Sequence, residues 1–288
     1  MKLPPFEYAC PATIAEAVSL LASYPGEAKI IAGGQSLMPM MAFRLATPSL
    51  LVDLRKLEGL DRIEIGQKDI RLGAKVRWRD ILDSEGLRKA HPLLVAAIHH
   101  VAHYQIRNRG TVGGSLAHAD PAAEMPGIAV ACDALISIIG KAGSRVVPAE
   151  DFFLGALTTV LQPDELITEI RLPAWPASRR WGFEEFARRR GDFALGAVAV
   201  FYDEDGPGRV RDAHIGVIGV ANRPLRIKQA EALLNGRAVT DALIVEAGRA
   251  VSAAVSPPDD IHASAEYRRA LAGTLTERAL MRAGGGAR

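Results

Sequence analysis

The sequence predicts an α+β fold in two units, and three observations support this. Apolar strand-like runs alternate with helical patterns in the N-terminal part, and Pro173 and Pro176 bracket a break in periodicity. Beyond that break three strand patterns precede three helical ones. A length of 288 residues suggests about two domains, although one large α/β domain also fits. Such a chain buries roughly three quarters of its unfolded surface and needs no disulfide or metal staple. Its 49% hydrophobic and 24% charged residues are ordinary globular composition. The net charge of +2 gives no sign of nucleic acid or an anionic membrane as main partner.

The elements follow in order. Thr13-Ile14-Ala15-Glu16 has the form of a capping box, and Ile14, Ala17, Val18 and Leu21 share the face of the helix it opens. Pro25-Gly26 ends that helix. Lys29-Ile30-Ile31-Ala32 reads as a buried strand entering Gly33-Gly34-Gln35-Ser36, and residues 50–54 read as a second strand. Ile63, Ile65, Ile70 and Leu72 alternate about a polar turn, as in a hairpin. Residues 92–104 fit an amphipathic helix with Pro92 at its start. Thr111 to Ser115 read as an irregular segment. Asp120 and Pro121 fit the N-cap and first position of a helix running through Cys132. Further strands are expected over 135–139 and 166–172, and after the proline break over 181–186, 194–201 and 209–220. Helices are expected over 227–234, 242–255 and 265–283, with disorder in the tail 284–288.

Two cysteines, Cys10 and Cys132, support neither a disulfide framework nor a four-thiolate cluster, so a cytoplasmic location is expected. The N-terminus lacks the apolar core of a signal peptide. The most apolar stretch, 127–140, is interrupted by Asp133 and too short to span a bilayer, so no transmembrane segment is expected.

The chemistry concentrates at two glycine pairs, Gly33-Gly34 and Gly113-Gly114. Paired glycines let successive N–H groups face one concavity, which suits phosphate oxygens, and Ser36, Thr111 and Ser115 add hydroxyls. Neither loop has the GxxxxGK[ST] or GxGxxG pattern. Either loop alone also reads as a plain turn, and residue spacing does not establish that the two meet. His99 and His103 stand four apart, but without HExxH or a carboxylate at ligand spacing they read as ordinary histidines; no metal site is assigned. The arginines at 179–180 and 188–190 read as a solvated strand end, a docking surface or an approach to a cofactor.

The ordered set Ala32-Gly33-Gly34-Gln35-Ser36-Leu37, Arg44-Leu45-Ala46-Thr47-Pro48, Leu51-Val52-Asp53-Leu54 and residues 105–115 resembles the medium, FAD-binding subunit of molybdenum hydroxylases. This is the carbon monoxide dehydrogenase and xanthine dehydrogenase family. His118-Ala119-Asp120-Pro121 and Arg190-Gly191-Asp192-Phe193-Ala194 continue the resemblance.

The resemblance implies a two-lobed FAD-binding domain of the vanillyl-alcohol-oxidase type over 1–174, with lobes over 1–55 and 56–174. A carbon monoxide dehydrogenase flavoprotein-like C-terminal domain, a small antiparallel sheet with helices, then covers 178–284. It implies that Ala32, Gly33, Gly34, Gln35 and Ser36, together with Gly110, Thr111, Gly113, Gly114 and Ser115, hold the FAD diphosphate. Lys29, Ile30, Ile31 and Leu37 flank the first loop, and Glu124 matches a carboxylate, usually Asp, that bonds the ribityl or adenosine side. Leu166 and Ile167 line the site, Phe193 packs near the ring, and His118 stands beside the second loop. Gln35 and Ser115 depart from the His and the Asn or Asp frequent there but keep hydrogen-bonding capacity.

The implied FAD is noncovalent. The family also implies a large molybdopterin subunit, a small subunit with two [2Fe–2S] clusters, and a dimer of heterotrimers in which this chain relays electrons to an external acceptor. No catalytic residue is assigned. An autonomous flavin oxidase of the same fold and a nucleotide-binding module without redox work are the competing readings.

Overall fold

The structure, a computed structural model, describes residues 2–285. Its first elements are β1 (Glu7–Ala9), α1 (Ile14–Ser23), β2 (Ala28–Ile31), α2 (Leu37–Ala42) and β3 (Leu50–Asp53), with the strands parallel in the order β1-β3-β2. Thr13 Oγ1 accepts the Glu16 N–H at 3.2 Å, while the Glu16 carboxylate accepts the Ala12 N–H at 2.8 Å. So capped, α1 lays Ala17, Val18 and Leu21 on Leu50 and Val52 of the sheet. β1 is an element the hydropathy pattern did not indicate, since three residues, two exposed and one half-buried, have no periodicity to read.

The chain continues through β4 (Ile63–Ile65), β5 (Asp69–Gly73), α3 (Trp78–Asp83), α4 (Glu85–Ala90), α5 (Pro92–Ile98), α6 (Tyr104–Arg107), α7 (Val112–His118) and α8 (Glu124–Ala131). It then forms β6 (Leu135–Gly140), β7 (Gly143–Pro148), α9 (Ala149–Phe152), β8 (Phe153–Gly155), β9 (Thr158–Thr159) and β10 (Leu166–Pro173). Strands β4-β5-β10-β6-β7 make an antiparallel sheet, and the helices cover its apolar face.

Three expected features of this region are corrected. The helix expected over 92–104 ends at Ile98. The Arg107 guanidinium donates to the carbonyls of Val101 and Ala102, both at 2.9 Å, and holds Ala102 at φ 39°, outside the helical region. The helix expected from Asp120 starts instead at Glu124, because Asp120 Oδ1 accepts the Ala122 N–H at 2.9 Å and folds a local turn ahead of it. The segment 111–115, expected to be irregular, is the capped first turn of α7.

The remaining strands, β11 (Arg180–Phe186), β12 (Gly196–Glu204), β13 (Val210–Ile218) and β14 (Leu225–Arg226), form an antiparallel sheet in chain order. They are backed by α10 (Lys228–Leu234), α11 (Asp241–Ala254) and α12 (Ala265–Ala283). Gly284 caps α12; the last three residues of the tail expected to be disordered lie outside the described residues.

All eight residues of α8 are buried, because the helix packs between the third sheet and helices α5, α7 and α9. Gly127 lies against Ile218, and a Cβ on Gly216 would come within 2.5 Å of the Ala131 methyl, so glycines let α8 approach β13 closely. Arg179 pins the same junction. Its guanidinium donates to Asp203 at 2.7 Å and Asp212 at 3.1 Å and lies 5.4 Å over Trp175 and 5.0 Å over Phe201. Arg179→Ala strands Asp203 and is expected to cost roughly 2–4 kcal/mol, solvent access keeping it below a fully buried pair. Thermal unfolding reads this loss, and Arg179→Lys recovers little of it, since a lysine cannot both fork and stack.

Candidate cofactor-binding site

The first glycine loop leaves the C-terminal end of β2 and turns into α2. Gly34 makes the turn at φ 72°, and its carbonyl accepts the Met38 N–H at 3.1 Å. Among the described residues, the backbone N–H groups of Gly33, Gly34, Gln35, Ser36 and Leu37 have no protein acceptor. The Gln35 side chain folds back, Nε2 donating to the Gly33 carbonyl at 3.0 Å, so it lies along the loop. Five consecutive donors at a strand end are matched to an anion with several oxygens.

The second loop is built differently. Thr111 caps α7, its Oγ1 accepting the Gly114 N–H at 3.2 Å. The Val112 and Gly113 N–H groups donate to the carbonyls of Val76 and Ala74, both at 2.9 Å. The glycine pair here serves close packing: a Cβ on Gly113 would sit 2.6 Å from the Ala74 methyl. What this loop offers a ligand is the Ser115 hydroxyl and the exposed surface at Gly114, since the amides of Val112, Gly113 and Gly114 already donate within the protein.

The two loops touch. A Cβ on Gly33 would overlap the Arg109 carbonyl and crowd the Gly110 Cα at 2.9 Å. Gly110 is itself held against Trp78, where a Cβ would fall 2.6 Å from Nε1. Residues 77 positions apart are thus in direct contact, which joins the loop after β2 to the segment that leads into α7.

Of the other residues expected at the site, Lys29 is exposed on β2, while Ile30, Ile31, Ala32, Ser36 and Leu37 are half-buried. Leu166, 1% exposed, joins the core under β2 and β3, and Ile167 is buried beside it in the second-sheet core. His118 ends α7, half-buried, and Phe193 is exposed on the turn before β12. Glu124 is buried in the first turn of α8, where loss of water, reinforced by the carboxylates of Glu185 and Asp120, pushes its carboxyl up to about 8.

Sequence reasoning missed Trp78, Arg109, which closes on Gly33, and Glu185 on β11. One signal for Glu185 was available. It falls on the same strand face as Trp181 and Phe183, both packed into the core, so its alternation directs a carboxylate inward. The histidines at 99 and 103 do not share a helical face, because α5 has ended before them.

An unpartnered amide cradle at a strand end, in an α+β protein, defines a site suited to a phosphate-bearing cofactor. The comparisons are specific. The FAD binding domain of molybdopterin dehydrogenases matches residues 4–175, and the CO dehydrogenase flavoprotein C-terminal domain matches 181–283. The chain belongs to the family of FAD-binding medium subunits of molybdenum hydroxylases and is an oxidoreductase subunit.

It is 42% identical over 284 residues to the nicotine 6-hydroxylase medium subunit of Paenarthrobacter nicotinovorans, covering 99% of both chains. It superposes with TM-score 0.96 and 38% identity, covering 99% of each chain, on carbon monoxide dehydrogenase from Hydrogenophaga pseudoflava. Quinoline 2-oxidoreductase from Pseudomonas putida 86 gives 0.94 at 38% identity, again covering 99% of each chain. These relatives belong to multi-subunit enzymes. Among the described residues no helix is long and apolar enough to cross a membrane.

Proposed function

We propose that this chain is the electron-relay subunit of a cytoplasmic molybdenum hydroxylase, arranged as a dimer of heterotrimers. A large subunit holds molybdopterin and a small subunit holds the [2Fe–2S] clusters. In this reading residues 1–174 bind FAD and 178–284 form the second domain. The observation that supports it best is the closure of Gly33 on Arg109 and Gly110, which makes one cleft of two loops.

The residues present fit FAD. The free amides of Gly33 to Leu37 take the diphosphate oxygens, and Thr111, Ser115 and the α7 terminus face them from the other side. Lys29, Ile30, Ile31, Ala32, Leu166 and Ile167 wall the cleft, Glu124 meets ribityl or ribose hydroxyls, and His118 and Phe193 stand at its rim. When bound, FAD supplies a centre that takes electrons singly and releases them singly or in pairs. The protein orients it, excludes water from the diphosphate and leaves the rim open. The first loop contains no histidine or cysteine, so the attachment is noncovalent. The two thiols, Cys10 and Cys132, are too few for a cluster, which supports an electron source on a partner.

The test is to purify the full chain alone and with its partner subunits. We expect flavin released intact by denaturation, one per chain. In the chain alone dithionite bleaches it and no organic substrate does; in the assembly the substrate of the large subunit does. Reduction of the isolated chain by an organic substrate would instead establish an autonomous oxidase.

A further inference from the structure

His99, His100, Glu185, Phe186, Arg189 and Arg190 line a cavity of about 320 Å³. Glu185 is its unusual member. Its side chain is 3% exposed, Oε1 lies 3.5 Å from His100 Nδ1, and Oε2 is buried with no hydrogen-bond partner. A carboxylate oxygen without a donor is costly in a folded interior, and such groups persist where a ligand supplies the missing donor. The buried carboxyl of Glu124 lies close enough to feel its charge, which adds to the loss of water in pushing that carboxyl up to about 8. The other titratable groups facing the pair are Asp120 beside Glu124 and His99, His100, Arg189 and Arg190 around the cavity.

The cavity and the amide cradle are two ends of one segment. Gly191 packs on Ala102 and His103, where a Cβ would come within 2.7 Å of the Ala102 carbonyl; six residues further on, Arg109 closes on Gly33. Ala102 holds a left-handed backbone at this point, the kind of strain found where a site needs a fixed shape. Residues 102–109 thus link the cavity to the cradle.

We propose that Glu185 is a cofactor-binding residue that accepts the N3–H hydrogen bond of the flavin ring, in this cavity. The inference rests on the FAD reading above. The cyclic imide edge of a flavin presents carbonyl, N–H and carbonyl in a row. The lining presents the complement, a carboxylate among His100, Arg189 and Arg190 as donors to the two oxygens. An adenine amino edge has one acceptor fewer beside its donor and uses fewer of these groups.

The experiment uses the assembled complex, stripped of flavin and titrated with FAD or with N3-methyl-FAD, which lacks the donor. Bound flavin is counted after release. In the parent protein N3-methylation weakens binding at least tenfold. In Glu185→Ala, FAD binds about tenfold more weakly and the two flavins bind alike, whereas Glu185→Gln, whose amide oxygen still accepts, keeps part of the discrimination. Removing an unpartnered buried carboxylate leaves thermal stability unchanged or raised, which a merely structural Glu185 would not do. Equal binding of the two flavins by the parent protein, or discrimination undiminished in Glu185→Ala, overturns the proposal. A complex that takes up neither flavin overturns the FAD reading beneath it as well.

Discussion

Gly33→Ala is expected to abolish flavin retention and to lower the melting temperature of the chain. The added methyl has no space: it overlaps the Arg109 carbonyl and presses on the Gly110 Cα, and both obstacles are backbone. Gly110 cannot retreat, because Trp78 and the Ile106 carbonyl stand behind it. The loops must therefore separate. Overpacking of this kind costs about 1–3 kcal/mol, which lowers the midpoint by roughly 2–10 °C in a chain this long. The larger effect falls on the cofactor, since the free amides of one loop no longer face the groups of the other. Flavin content of the purified variant should fall at least tenfold. Gly34→Ala is the control: its cost is the positive φ, and its nearest obstacle is the flexible Met38 side chain at 3.2 Å. It should lose stability but keep measurable flavin. Full flavin content in Gly33→Ala would mean that the loops' contact is irrelevant to binding.

The second expectation concerns Glu124 and pH. Its carboxyl titrates near 4.5 when unfolded and about 8 in the fold, mainly because burial disfavours the charge. Below pH 4.5 both states hold the proton and nothing is lost. Between 4.5 and 8 the unfolded chain releases it while the folded chain keeps it, so stability falls as pH rises, by at most about 5 kcal/mol. Asp53, Asp203 and Glu165 act with the opposite sign. Hydrogen bonds from Tyr8, Arg179 and Arg145 hold their carboxyls below the usual range, so their contribution is present above that range and lost in acid. Glu124→Gln keeps the shape and removes the proton. The flavin-free variant should melt with the parent near pH 4 and well above it at pH 8. Parallel melting curves across that interval would mean that Glu124 is not the group responsible.

Local chemistry made much of this protein legible. The capping box at Thr13, the hairpin about residues 66–69, the long strand at β10 and the helix α12 all emerge from patterns confined to a few residues or turns. The elements misread fail for one reason. The break after Ile98, the late start of α8 and the turn at Asp120 are imposed by hydrogen bonds that the Arg107 guanidinium donates and the Asp120 carboxylate accepts, which periodicity does not encode. The two glycine pairs look alike in sequence yet differ in work. One leaves five amides free, while the other spends its first amides on Ala74 and Val76, because its helix is docked on the turn between β5 and α3.

Residue order alone therefore settles the α+β class, the order of most elements and, through an ordered set of motifs, the flavoprotein family. It is silent on the meeting of Gly33 with Arg109, on the burial of Glu124 and on the unpartnered oxygen of Glu185. Those features arise when surfaces distant along the chain are pressed together, and the cost of desolvating a carboxyl or excluding a methyl exists only at that contact.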